Sequence, residues 1–269
     1  MNRKYTSLLL AAVLALLSVA GMGCQKLRAR DELNKGVQAF RNGSYPTAVE
    51  HFKQAVTLDP NYPVARAYLA TSYMMQYIPG AESEENLRMA QAAHDEFLRV
   101  LEQDPGNSNA MLAIAQLYFN QKKLDEAQEW YQKAITANPN DKTAYYTLGV
   151  IAWTKTFQPR MKARAELGMK PEDPGPLRDR KVREKLKESN LPIIEEGMKA
   201  LEKALALDKE YDDAMAYMNL LYRERADLQD TPEAYKKDTE AADSWVDKTL
   251  ETKKLKASRV PTGGITSGQ

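Results

Sequence analysis

The stretch Ser108–Pro139, SNAMLAIAQLYFNQKKLDEAQEWYQKAITANP, decides the fold. Apolar side chains fall at Met111, Ile114, Ala115 and Tyr118, and again at Leu124, Ala127, Tyr131 and Ala134. Intervals of three and four place each set on one face of a helix; a strand would alternate instead. Gln121-Lys122-Lys123 separates the two sets. Asn138-Pro139 closes the second, because a proline ring clashes with the preceding helical turn. Asp125, Glu126 and Glu129 fall opposite the apolar stripe, as a solvated face requires.

The same theme extends on both sides. Gly36 precedes an Asn42-Gly43 turn, followed by Tyr45, Ala48, Phe52 and Ala55 and a stop at Asp59-Pro60. Leu69, Ala70 and Tyr73, then Ala90, Ala93, Phe97 and Val100, lead to Asp104-Pro105. Pro105 to Pro139 is 34 residues. This helix-turn-helix period, with A-x3-F at Ala48 and Phe52 and a terminal proline, resembles the tetratricopeptide repeat. The resemblance implies an all-α fold, a right-handed α-solenoid of about five helix-turn-helix units over residues 29–252. The units are expected at 29–62, 63–107, 108–141, 142–211 and 212–252.

Two units carry extra material. Pro60 to Pro105 is 45 residues, and the surplus sits at the proline-glycine break Tyr77–Ser83. In the fourth, Tyr145, Leu148, Gly149 and Trp153 are followed only at Leu191 by the next stripe, through Ile194, Gly197, Leu201 and Ala204. The insertion 154–190 holds 11 Lys and Arg against 6 acids. It breaks at Pro171–Pro176, with a charged helix expected from Arg178 to Glu188. The fifth unit shows Met215, Met218 and Tyr222, then a helix from Pro232 to Thr252 expected to bury Ala241, Trp245 and Leu250. Residues 253–269 read as a disordered tail.

Residues 1–23 read as a secretory signal: Arg3 and Lys4, an uncharged apolar run Leu8–Ala20, then small residues before Cys24. The apolar run is shorter than the ~20 residues a spanning helix needs. Cys24, the single cysteine, stands where a bacterial lipoprotein carries its lipid, and the placement resembles a lipobox with Gly23 before it. That resemblance implies lipidation at Cys24, a tether over 24–28 and a place in the bacterial cell envelope. Gln25 after the cysteine resembles the outer-membrane sorting pattern, which would leave the protein facing the periplasm. Without residues 1–23 the chain holds 36 basic and 37 acidic residues, a balance with no electrostatic footprint for nucleic acid.

The sequence offers no catalytic constellation. His51 and His94 lie beside the stripe residues Phe52 and Ala93, without a paired nucleophile or metal-ligand spacing. No phosphate-cradling glycine loop occurs. No enzyme activity, cofactor or metal is expected. Tetratricopeptide families bind proteins or peptides through the first helix of each unit. Projected here, that face contains the row Phe40, Met74, Phe119 and Trp153, with the amides Asn109, Gln116 and Asn120 beside it. Two readings stay open for the row: a peptide-binding groove, or packing between repeats. Leu33 and Val37 stand where the family's carboxylate clamp would need lysine and asparagine, which argues against an acidic C-terminal ligand. The basic insertion supplies the alternative function, an envelope ligand-binder for cell-wall fragments or anionic lipid.

Overall fold

The structure, a computed structural model, describes residues 24–170 and 172–259. The signal segment and the last ten residues of the expected tail lie outside the described residues. Among the described residues there are ten helices and no strand. They are α1 (24–41), α2 (Tyr45–Leu58), α3 (Pro63–Gln76), α4 (Glu84–Gln103) and α5 (Ser108–Asn120). After these come α6 (Leu124–Ala137), α7 (Lys142–Glu166), α8 (Arg180–Leu207), α9 (Asp212–Ala226) and α10 (Pro232–Arg259). They form two compact units that divide within α6, between Trp130 and Tyr131.

In the first unit, Leu33, Ala48, Val49, Phe52, Ala55, Ala65 and Leu69 form one buried cluster. Gly36 lets α1 lie against α2, since a Cβ there would meet the Phe52 ring at 2.5 Å. Ala70, Ala90, Ala93, Phe97, Val100, Ile114 and Leu117 form the next cluster. The surplus of the second repeat is ordered. Part of it lengthens α4 to 20 residues, against 14 in α2. The remainder is pinned by the buried Asn86 amide, whose Oδ1 accepts from Ile78 N (2.7 Å) and whose Nδ2 donates to Ile78 O and Ala81 O.

The α5–α6 turn places Lys122 at φ 60°, in the left-handed region. Its counterparts after α1 and α7 are Gly43 and Gly168, each closed by the same wrap-around bond as Lys123 N to Tyr118 O (3.0 Å). A Cβ is unfavourable there, and glycine is the usual occupant. Lys122→Gly is therefore expected to raise the unfolding free energy by about 0.5–1 kcal/mol, after the extra freedom it gives the unfolded chain. Urea titration checks this; a lower midpoint would show that the turn is unstrained.

The second unit corrects the expectation of a long excursion between Trp153 and Leu191. Most of the insertion is helix, because α7 runs 25 residues and α8 runs 28. Both tolerate an internal proline, Pro159 and Pro192. The buried Asn190 amide donates to Thr156 O in the turn before Pro159. Among the described residues of the insertion only 167–170 and 172–179 are non-helical, and they fold inward: Leu177 is fully buried, and its N–H donates to Asp227 O at 3.0 Å. Gly149 and Gly197 allow α7 and α8 to approach, since a Cβ would collide with Leu201 and Ala152 respectively.

Two further expectations change. In α10 the buried residues are Asp238, Ala242 and Thr249, whereas Leu250 is 51% exposed. The face turns because Arg225 takes both oxygens of Asp238, at 3.0 and 2.6 Å, and draws it inward. Residues 253–259 continue α10, held by Lys256 on Asp212 and Arg259 on Glu210. At the other end, residues 24–28 are helical turns of α1, with Cys24 exposed.

Candidate peptide-binding surface

The first helices of the second and third repeats differ in chemistry from their neighbours. In α5 no residue is charged. In α3 the single charged residue, Arg66, is 8% exposed and turned inward, donating to Glu96 Oε2 at 2.7 Å and to Pro60 O. The outer stripe of α3 is Val64, Ala67, Thr71 and Met75, spaced at helical intervals, with Val64 and Met75 about half exposed. By contrast α4, a second helix, exposes Glu84, Arg88, Asp95 and Arg99. The first unit therefore has a charge-free apolar face on α3 and α5, which lie against each other.

The residues projected from sequence distribute as follows. Met74, Gln116, Phe119 and Asn120 are half-buried on α3 and α5, and Asn109 is exposed at the start of α5. Gln116 Nε2 donates to Asn120 Oδ1 at 2.8 Å, so the two amides are held together beside Phe119. Phe40 packs on the first cluster, edge-on to Tyr45 (5.3 Å) and Tyr68 (5.9 Å). Met74 packs against the second cluster. Trp153 belongs to the second unit and packs against its core. Both histidines are half-buried with local partners: His51 Nδ1 with Glu32 (2.7 Å), His94 Nε2 with the Tyr118 hydroxyl (3.1 Å). Among the described residues no group of three metal-ligating side chains occurs, and no helix is long and apolar enough to cross a membrane.

Sequence reading missed two constellations in the second unit. One is an aromatic series. Tyr211 lies 5.1 Å from Tyr146, Tyr146 lies 5.5 Å from Tyr217, Tyr217 lies 5.8 Å from Trp153, and Trp153 lies 4.9 Å from Phe157. Burial and then the Asp213 carboxylate push the Tyr217 hydroxyl above its usual range. The other is a buried ion cluster. Arg164, 2% exposed, donates to both carboxylate oxygens of Asp227 and to the carbonyls of Lys170 and Asp173. Arg160 bridges Glu224 and Asp227, each at 2.9 Å. The signal was present as Arg160-x3-Arg164 and Glu224-x2-Asp227, each pair on one helical face. Asp230 adds Arg183 and Lys187. At least four of the 11 insertion cations are thus spent on acids of the α9–α10 segment, which is why this segment packs instead of projecting.

The sequence profile of the tetratricopeptide repeat matches residues 88–149. Residues 88–149 therefore carry the tetratricopeptide repeat. Sperm-associated antigen 1 of Mus musculus is 29% identical over 123 residues, which is 46% of this chain and 12% of that protein's length. The solved structure of the MamA protein matches with a TM-score of 0.58 at 16% identity, covering 87% of this chain and 96% of that one. YrrB, described as a tetratricopeptide protein with an unusual peptide-binding site, matches with a TM-score of 0.52 at 15% identity, covering 85% and 91%. At these identities the two structures show the shared fold alone.

Proposed function

We propose that this tetratricopeptide protein is a lipid-anchored cell-envelope adaptor that holds a protein or peptide partner on its first-helix faces. The observation that carries the reading is the charge-free surface of α3 and α5, with Val64 and Met75 exposed and the Gln116–Asn120 amide pair beside Phe119. Apolar surface rimmed by charged helices is the pattern of a docking face. A hydrogen-bonded amide pair next to it suits a peptide backbone, which offers both donors and acceptors. Repeat families of this kind are generally scaffolds without catalytic chemistry of their own. The anchor is read from the signal segment before Cys24, and Gln25 after that cysteine supports a place in the outer membrane facing the periplasm.

Met75→Glu combined with Phe119→Ala tests the face. Both sites are exposed or half-buried, so the fold should survive. Partners crosslinked in intact membranes are expected to be lost from the variant, while its helical circular dichroism stays unchanged. An identical set of crosslinked partners would overturn the assignment. Intact-mass measurement of the mature N-terminus decides the anchor, because a chain with unmodified Cys24 would refute lipidation.

A further inference from the structure

The aromatic series of the second unit has an uneven electrostatic pattern. Tyr146, Val150, Trp153 and Phe157 follow each other at helical intervals along α7, so they form one stripe, and each is half-buried. On α9, Asp213 and Tyr217 are four residues apart and share a face. The two ends of the series already hold cations of the chain itself. Lys142 lies over the Tyr211 ring at 5.3 Å, its ammonium bonded to Asp208, and Arg160 lies over Phe157 at 5.7 Å. Between those ends come Tyr146, Tyr217 and Trp153, with the exposed Asp213 one helical turn before Tyr217 and its charge acting on the Tyr146 and Tyr217 hydroxyls. The adjacent acid, Asp212, is held by Lys256, whereas Asp213 is the one on the tyrosine side.

Ring faces attract cations through their quadrupole, and guanidinium groups also stack on them. A neighbouring carboxylate adds attraction for a positive group and repels a negative one. We propose that the second unit receives an arginine or lysine side chain of the partner on the surface of Tyr146, Trp153 and Tyr217, beside Asp213. The proposal rests on the reading of first-helix faces as partner-binding, and it names the partner's chemistry there: a basic side chain in an otherwise neutral peptide. A neutral ligand, peptide or glycan, could hydrogen-bond to Asp213 but would gain no charge attraction from it.

The test uses the mature chain and three capped nonapeptides that differ only at the central residue: arginine, its uncharged isostere citrulline, and glutamate. The Trp153 indole N–H, assigned with Trp153→Phe, is followed by NMR. The arginine peptide is expected to bind at least tenfold more tightly than the citrulline peptide and to shift the Trp153 signal. Asp213→Asn should bring arginine down to the citrulline level, as should high salt. Equal affinity for arginine and citrulline, or no response to any of the three, would overturn the proposal. So would a Trp153 shift caused by chitotetraose with no peptide response, since that would make the surface a glycan platform. If the arginine peptide fails while Met75→Glu/Phe119→Ala still releases crosslinked partners, only this inference falls. If those partners persist in the variant, the broader reading falls.

Discussion

Arg164→Met is expected to destabilise the second unit by about 3–5 kcal/mol, the range for breaking a buried ion pair from one side. The side chain is 2% exposed and satisfies four acceptors at once: both Asp227 oxygens and the carbonyls of Lys170 and Asp173. Methionine keeps most of the volume and supplies no donor. Asp227 would retain Arg160 alone, and the two carbonyls of the 167–179 segment would lose their guanidinium donor in a place with little water. The segment buries its own Met169 and Leu177 in the core, so its release also exposes apolar surface. Urea unfolding should show the transition of the second unit moving down while that of the Phe52 core stays in place. A loss under about 1 kcal/mol would mean that Arg160 and water replace the missing contacts. Combining Arg164→Met with Asp227→Asn should cost less than the sum of the two, since both remove the same interaction.

Glu224 should make that same unit less stable as pH rises through neutrality. Its side chain is 1% exposed, and Oε1 has no hydrogen-bond partner. Burial, opposed by Arg160 and reinforced by Asp227, pushes its carboxyl from 4.5 up to about 7. Between those values the folded chain holds a proton that the unfolded chain has released. The folded state therefore binds more protons there, and stability falls as pH increases. The full loss, complete above about pH 7, is on the order of 3 kcal/mol from the size of the shift. Carboxylates displaced the other way, Glu32, Asp208, Asp212 and Asp230, have pKa values lowered by cationic partners. Their contribution is already complete above the unfolded carboxylate range and is lost only in acid. Glu224→Gln isolates the effect. Its stability relative to the parent should rise from pH 5 and level off above about pH 7, and a difference independent of pH would refute the assignment to Glu224.

How much of this was legible beforehand depends on the range of the interactions. Ala48, Phe52 and Ala55, or Ala127, Tyr131 and Ala134, declare a buried helical stripe because their partners lie within one repeat length. Gly36 marks the close approach to Phe52 for the same reason. On α10 Trp245 packs on the core as expected, whereas Leu250 does not, since hydropathy alone favours Leu250 over Asp238. The real register follows the bidentate Arg225–Asp238 contact, which a pattern of apolar residues does not contain. The row from Phe40 to Trp153 was visible as a recurrence of large side chains. That Phe40 and Trp153 pack on their local cores, while Val64 and Met75 stay exposed, is a matter of tertiary burial.

The sequence by itself determined the helical period, the terminators and the places where material was added, because all three are local properties of spacing and of proline and glycine geometry. The tertiary structure decided what the added material does. Arg160 and Arg164 sit 63 to 67 residues from Asp227 along the chain, counting their hydrogen bonds. Only folding brings those charges together in a site from which water is excluded, where a separated ion would be too costly to leave unpaired. That pairing is why a segment that reads as a basic excursion becomes two long helices closed onto α9. The same distinction holds at the Ser108–Pro139 stretch. Its pattern specifies two helices, and only the packing of α5 against α3 and α4 leaves Phe119 and its amides on the outer face.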